Sequence, residues 1–330
     1  MKVSKISVIG GSGFVGTNLC RQLRLKQKDF EIIDLKLSRQ FPEKSKIADV
    51  RDIESLRRTI TGDVIINLAA VHRDDVRCSS EYWTTNVDGA KNIALVCEEK
   101  GIEKIVFTST VAVYGFAETG TDESGCINPF NEYGKSKFEA EEKLRDWHRK
   151  CNSSLIIVRP TVIFGEGNRG NVFNLFNQIA SGNFIMIGKG KNKKSIAYIG
   201  NVVAFLETCI ETKQRYGLYN YVDTPDLTMN DFVAQVRAKL KGKNGVGIRL
   251  PLWLGLVIGY AADLIATLSG KTLPVSSIRV KKFVSSTEFK SAKNKLDNFN
   301  APYGLSESVD QTLQNEFITP DPNREIFLTE

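Results

Sequence analysis

The chain has 330 residues, 42% hydrophobic and 25% charged, an ordinary balance for a protein that folds around its own core. Its net charge of +7 suits an anionic substrate or an anionic membrane surface; the lysines are dispersed, with no aromatic-interleaved basic motif, which argues against nucleic acid. The six cysteines are scattered without a CxxC pair and only two histidines are present, which points to a reducing compartment and excludes a zinc site as the organising centre.

The N-terminus runs straight into an apolar segment, so no signal peptide is expected and the cytoplasm is the expected location. Short β-branched runs predict strands at Ile6–Ile9, Glu31–Asp34, Val64–Leu68, Ile105–Thr108 and Leu155–Val158. Between them, 3.6-residue patterning predicts helices at Val15–Leu25, Ile53–Ile60, Tyr82–Glu99 and Tyr133–Lys150. Such alternation gives an α/β fold with a doubly wound parallel sheet covered on both faces. From Glu166 the pattern becomes irregular. Residues 1–165 are therefore read as a dinucleotide-binding domain of Rossmann type, to which 196–213 return with a helix at Asn201–Glu211. Residues 166–195 and 214–330 are read as a smaller C-terminal substrate lobe, with ligand held between the lobes at the carboxyl ends of the strands.

The first strand leads into Gly10-Gly11-Ser12-Gly13-Phe14-Val15-Gly16 and then a helix, the setting in which glycines let a backbone approach a pyrophosphate at a helix N-terminus. Asp34 ends the second strand near the spacing at which a carboxylate holds the adenosine ribose hydroxyls. It would repel a 2′-phosphate, so NAD is favoured over NADP. Asp49, after a further strand, could meet the adenine edge. Tyr133 and Lys137 stand four residues apart on one helix face, where an ammonium beside a phenol favours the phenolate and suits the tyrosine to acid–base work.

Together GGSGFVG, Asp34, ADVRD, NLAAVH, NVDGAKN, FTSTVAVYG and YGKSK resemble, in order, the extended short-chain dehydrogenase/reductase family. The resemblance implies that Gly10, Gly13, Phe14, Val15 and Gly16 border the pyrophosphate, Asp34 holds the ribose, and Asp49 and Val50 border the adenine. It also implies that Leu68, Ala69, Ala70 and Pro160 line the cofactor cleft with Asn86 in support. Tyr133 would act as acid–base, Lys137 would lower its pKa and hold the nicotinamide ribose, and Thr110 would bind the reacting oxygen. Further segments, among them HRDDV, RPTVIFGEGNRGNVFNL, GKGKNKKSIAYIGN and SSIRVKKF, resemble a bacterial branch of sugar 4-epimerases that act on N-acetylglucosamine attached to undecaprenyl diphosphate, in O-antigen synthesis. Alternatives are a UDP-N-acetylglucosamine 4-epimerase, a nucleotide 4-keto-6-deoxy-sugar reductase and, in another class, a non-catalytic NAD-binding scaffold.

One position departs from the nucleotide-sugar pattern. Where those enzymes carry asparagine in a motif like RxxNxYG, this chain has Val162, which cannot donate a hydrogen bond. The diphosphate then needs other cations, for which Arg169 with Asn171, and Arg279, Lys281 and Lys282, are the candidates. The most apolar stretch, Leu250–Ala262, is flanked by Lys239, Lys241, Lys243, Arg249 and Lys271. It is expected either as a buried helix of the substrate lobe, the favoured reading, or as a peripheral contact with the inner membrane leaflet. By resemblance a homodimer is expected, paired through Tyr82–Glu99 and Tyr133–Lys150.

Overall fold

The computed structural model describes residues 5–73, 76, 78–270, 276–291 and 296–328. Lys271 and the two aspartates of HRDDV therefore lie outside the described residues. The strands, in chain order, are β1 (Ile6–Ile9), β2 (Phe30–Asp34), β3 (Ser45–Ile47), β4 (Val64–Asn67), β5 (Lys104–Thr108), β6 (Ser154–Pro160), β7 (Val162–Phe164), β8 (Met186–Ile187), β9 (Ile196–Tyr198), β10 (Tyr216–Tyr221) and β11 (Arg249–Leu250). Seven of them form one sheet in the order β10-β6-β5-β4-β1-β2-β3, every pair parallel.

The side-chain alternation of each strand sorts the core into two layers. On one face Ile6, Val8, Ile32, Val64, Ile66, Val106 and Ile156 meet Leu19 and Leu23 of the helix Phe14–Leu25 and Val202, Phe205 and Leu206 of the helix Ile199–Glu211. On the other, Ile9, Ile33, Ile65, Ile105, Phe107 and Ile157 meet Leu56, Ile93, Val96, Leu144 and Trp147 of the helices Ile53–Thr59, Gly89–Lys100 and Glu132–Cys151. Burial on both faces is why these strands read as unbroken apolar runs. The winding of the chain reverses between β1 and β4, which opens a crevice at their carboxyl ends.

Three features depart from the sequence reading. Tyr216–Tyr221, placed with the substrate lobe, is the edge strand of the main sheet, in register with Leu155–Pro160. The helix expected at Tyr82–Glu99 is interrupted: Ser80–Tyr82 passes into a π-helical stretch, Trp83–Asp88, before Gly89–Lys100. The stretch favoured as a buried helix is instead a surface helix, Leu252–Ser269, in which only Gly255 and Gly259 are buried. Gly255 is pressed against Ile187 and Gly259 against Ser276 and Ser277, while Trp253, Leu264 and Leu268 are 66%, 61% and 79% exposed.

The helix Glu132–Cys151, which carries Tyr133 and Lys137, is fastened to the sheet by a buried ion pair. Arg159 of β6 donates from Nε and Nη2 to the two oxygens of Glu141, at 2.8 and 2.5 Å, and from Nη1 to the Tyr114 hydroxyl at 2.7 Å. Tyr114 in turn donates to Asn220 of β10 at 2.8 Å, and Arg145 supplies Glu141 with a second cation at 2.9 Å. Removing one partner of such a pair strands the other charge in the interior. Arg159→Met should therefore cost about 3 kcal/mol in urea unfolding; a loss below about 1 kcal/mol would show that the network does not anchor the helix.

Candidate active site

The glycine turn is built so that nothing larger fits. Gly10 has φ +77°, and a Cβ there would lie 2.6 Å from the Ala69 nitrogen; one on Gly16 would lie 2.5 Å from the Gly11 Cα. The Leu68–Ala70 segment, leaving β4, thus runs directly against the turn. Gly13 caps the helix Phe14–Leu25 without a side-chain hydrogen bond, so the first-turn amides face outward. Asp34 closes the turn from the end of β2: its Oδ2 accepts from the Ser12 amide at 2.9 Å and its Oδ1 from the Leu35 amide at 2.7 Å.

The catalytic candidates sit across the crevice on the neighbouring strands and helix. Thr110 follows β5, and its hydroxyl oxygen accepts from the Ala112 amide at 3.1 Å, which directs its single hydrogen elsewhere. That hydrogen lies within bonding reach of the half-buried Tyr133 phenol. Burial pushes the phenol up to about 12, the Thr110 hydrogen bond pulls against it, and Tyr82 pushes in the same direction as burial. Asn131 caps the helix that carries Tyr133, accepting from the Gly134 amide at 2.9 Å. Asn86, inside the π-helical stretch, accepts from the Val71 amide at 2.9 Å and donates to the Val71 carbonyl and to Ser136. It ties the loop after β4 to the residue beside Lys137. π-Helical insertions commonly serve to aim a functional side chain in this way.

Lys137 departs from the expectation. Its ammonium lies 4.2 Å from the centre of the Phe107 ring, and its contacts are to that ring and to the field of Glu141, not to the Tyr133 phenol. Burial drives its pKa down to about 7, with Glu141 pulling upward. The phenol is thus tuned here by Thr110 and burial.

The remaining expected residues divide. Val50 is buried against Gly89, and Pro160, at the end of β6, is buried opposite Tyr221. The Asp49 carboxylate is taken by Arg51, at 2.6 Å, and its pKa is held down by that guanidinium. Arg169 is not a free phosphate anchor: it pairs with the buried Glu316 at 2.9 Å and stacks 3.9 Å over Phe173. The carboxylate that claims it lies 147 residues away in sequence, so no local pattern could reveal the pairing. Asn171 is the exposed first residue of the helix Asn171–Ser181. Arg279, Lys281 and Lys282 are exposed on the helix Ser277–Val284, with Lys282 5.7 Å over the Phe130 ring. Val162 stands 48% exposed on β7, where an apolar side chain faces outward. Sequence reasoning missed Glu141, although its spacing of four from Lys137 places it on the same helix face.

Residues 6–221 match the NAD dependent epimerase/dehydratase family. The chain belongs to this family. It is 46% identical to the N-acetyl-alpha-D-glucosaminyl-diphospho-ditrans,octacis-undecaprenol 4-epimerase of Escherichia coli O157:H7, over 98% of this chain and 99% of that protein. It is 26% identical to the UDP-glucose 4-epimerase of Vibrio cholerae, over 94% of each. Among solved structures, UDP-N-acetylglucosamine 4-epimerase from Bacillus cereus shares the fold with a TM-score of 0.74 at 18% identity, covering 93% of this chain and 97% of that one. The UDP-glucose 4-epimerase of Thermus thermophilus, in complex with NAD, gives 0.71 at 18%, covering 94% and 98%. The family's cofactor is NAD, and the turn fits it: the space that Cβ atoms would fill at Gly10 and Gly16 is kept clear, and Asp34 presents a carboxylate beside it.

The Lys137 shift has a consequence for stability. The unfolded lysine holds its proton up to about 10.5 and the folded one only to about 7, so unfolding takes up a proton between these values. The contribution of this residue to cofactor-free stability should rise with pH across that window, by at most about 1.4 kcal/mol per pH unit. In denaturant titrations from pH 7 to 10, the wild type should gain stability relative to Lys137→Met. A difference that stays constant with pH would mean the ammonium is not strained by burial.

Proposed function

We propose that the chain is an NAD-dependent 4-epimerase that interconverts N-acetylglucosamine and N-acetylgalactosamine carried on undecaprenyl diphosphate. The observation that carries this reading is the 46% identity with the Escherichia coli enzyme of that specificity, spanning nearly the whole of both chains. Val162 supports it, because an outward-facing valine stands where nucleotide-sugar enzymes place an amide.

In this reading NAD, when bound, supplies the removal and return of the hydrogen on C4. Tyr133 takes the proton of the C4 hydroxyl and gives it back after the sugar has turned its other face. Thr110, whose oxygen is already engaged by the Ala112 amide, has one direction left for its hydrogen, and donates it to the reacting oxygen or to the phenolate as charge develops. Lys137 holds the cofactor ribose. Asn86 keeps the cleft wall and the catalytic helix at a fixed separation through Val71 and Ser136. Purified protein offered UDP-N-acetylglucosamine and undecaprenyl-diphospho-N-acetylglucosamine in parallel, without reductant, should convert the lipid-linked sugar, and Tyr133→Phe should lose at least about a hundredfold in rate. Conversion of the UDP-sugar alone would overturn the lipid specificity.

A lipid-linked substrate requires access to a bilayer, and the helix Leu252–Ser269 supplies a surface for it. Its polarity is inverted: small residues, Gly255 and Gly259, face the protein, while Trp253, Val257, Tyr260, Leu264 and Leu268 form an outward stripe at helical spacing. By length and composition, with a mean hydropathy of 1.6, the helix could cross a membrane. Asp263 accepts from the Ser277 amide at 3.2 Å, however, which keeps one side of the helix on the protein. This favours a helix lying in the interface, with Lys281 over Tyr260 at 5.2 Å facing anionic headgroups. Vesicles containing anionic lipid should float with the wild type and leave behind the triple variant Trp253→Ser, Leu264→Ser, Leu268→Ser. Equal flotation of the two proteins would remove this helix from the membrane contact.

A further inference from the structure

Residues 324–328 lie against the cofactor turn, although some 300 residues separate the two in sequence. The Phe327 ring packs on Phe14, the first residue of the helix that leaves the turn, with ring centres 5.7 Å apart and both rings buried. Two residues earlier, the Glu325 carboxylate accepts from Gln40 Nε2 at 3.1 Å. Gln40 belongs to the loop that follows Asp34. A circuit of side chains closes between these two points. The Phe14 carbonyl accepts from Asn18 at 2.8 Å, the Asn18 oxygen accepts from Arg21 at 3.0 Å, and Gln40 Oε1 accepts from Arg21 at 2.6 Å. Phe14, Asn18 and Arg21 are spaced by four and three, so they share one face of the helix. From Gln40 the circuit returns through Glu325 and Phe327 to Phe14. The loop after Asp34 is also fixed to the turn itself, because the Ser12 hydroxyl donates to the Lys36 carbonyl at 2.9 Å.

The segment is anchored on its other side to the loop after β7. The Phe327 amide donates to the Gly167 carbonyl at 2.9 Å, and the Phe327 carbonyl accepts from the Arg169 amide at 3.0 Å, a short parallel bridge. The approach is close: Gly167 has φ +87°, and a Cβ there would stand 2.7 Å from the Glu325 carbonyl oxygen. The Glu316 carboxylate gathers the same parts. It accepts from the Gly167 amide at 2.6 Å and pairs with Arg169 at 2.9 Å and with Arg324 at 3.4 Å. Arg169, expected as a phosphate anchor, is thus spent on holding this loop and segment together.

We infer that residues 324–328 clasp the cofactor turn, with Phe327 and Glu325 as positioning residues for the helix end that meets the NAD pyrophosphate and for the loop beside its ribose. Core packing alone accounts for a buried phenylalanine. It does not account for a closed circuit of polar side chains that joins the helix, the loop after Asp34 and the segment. The chemistry gives the clasp a use. In a 4-epimerase the hydrogen removed from C4 returns within the same turnover, so loss of the cofactor between the two steps would strand an oxidised sugar. The inference rests on the NAD cofactor and not on the lipid-linked reading above.

Calorimetric titration of the cofactor-free protein with NAD tests the clasp. Phe327→Ala should raise the NAD dissociation constant roughly tenfold, the effect of losing one aromatic pair behind the helix end. Its kcat at saturating NAD, on the sugar that the wild type converts, should stay within about twofold of the wild type. Glu325→Ala should weaken NAD binding about threefold, and Glu325→Gln, whose amide oxygen still accepts from Gln40, should keep the wild-type affinity. Phe317→Ala is the control for packing alone. Phe317 stacks on Phe173 and meets Phe176 of the helix Asn171–Ser181, so this variant should melt earlier and bind NAD as the wild type does. An unchanged dissociation constant in folded Phe327→Ala overturns the clasp, and so does an equal rise in Phe317→Ala. Should Phe327→Ala fail to fold, the two Glu325 variants, at a half-buried position, are read instead, and equal affinity of Glu325→Ala and the wild type overturns the clasp. Wild-type protein that binds no NAD overturns the clasp together with the cofactor.

Discussion

The arrangement of this enzyme depends on one buried charge pair, Arg159 with Glu141. The candidate site draws on groups from separate elements: Thr110 after β5, and Tyr133 and Lys137 on the following helix. Arg159 sits at the end of β6 and engages the middle of the catalytic helix with both arms of its fork, while its remaining nitrogen reaches Tyr114, four residues past Thr110. Because Tyr114 continues to Asn220 on β10, the network joins two strands, the short helix Val111–Tyr114 and the helix Glu132–Cys151. Charges this deep are costly to desolvate, and hydrophobic replacements of similar volume often serve stability as well. What an ion pair supplies and a methyl group does not is direction: the planar guanidinium fixes the helix in rotation as well as in distance.

With the helix fixed, the chemistry of Tyr133 and Lys137 is set by burial more than by their proximity. Four residues apart on a helix, they look like a coupled pair, yet the lysine leans on the Phe107 ring and the phenol answers to Thr110. Burial raises the phenol and lowers the amine, so both neutral forms are favoured when the cleft holds only protein. Preorganisation here lies in the Thr110 hydroxyl, whose hydrogen has been aimed by the Ala112 amide before any ligand arrives.

The sheet was largely legible from sequence because parallel strands buried on both faces leave a strong local signal: Val64-Ile65-Ile66 has no other stable use. The glycine turn was legible for a similar reason, since a backbone that must pass 2.6 Å from where a Cβ on Gly10 would stand tolerates glycine alone. What sequence could not reveal were interactions set by partners far along the chain. Arg169 looked like a phosphate anchor until Glu316, 147 residues later, claimed it. The π-helical stretch around Asn86 likewise has no residue signature, because it arises from fitting the helix between the loop after β4 and Ser136. The edge strand Tyr216–Tyr221 was placed with the substrate lobe because its partner in the sheet, Leu155–Pro160, lies about sixty residues earlier and leaves no local mark on it.

The helix Leu252–Ser269 was misjudged for a different physical reason. An apolar stretch with two glycines reads as a buried helix, since glycine lets neighbours approach and large apolar residues usually complete the core. Here the glycines do admit neighbours, Ile187 and Ser277, but the large residues point the other way. That inversion makes sense for a 4-epimerase whose sugar must turn over in the site. Any contact that grips the ring firmly on one face opposes the turn, so binding energy has to come from the part of the substrate that stays still. A nucleotide sugar offers a base and a ribose for that purpose. A polyprenyl diphosphate offers only charge and hydrocarbon, which only cations and apolar area can hold. An exposed apolar helix bordered by Lys281 and Lys282 offers charge and hydrocarbon surface side by side, the two properties a polyprenyl diphosphate presents.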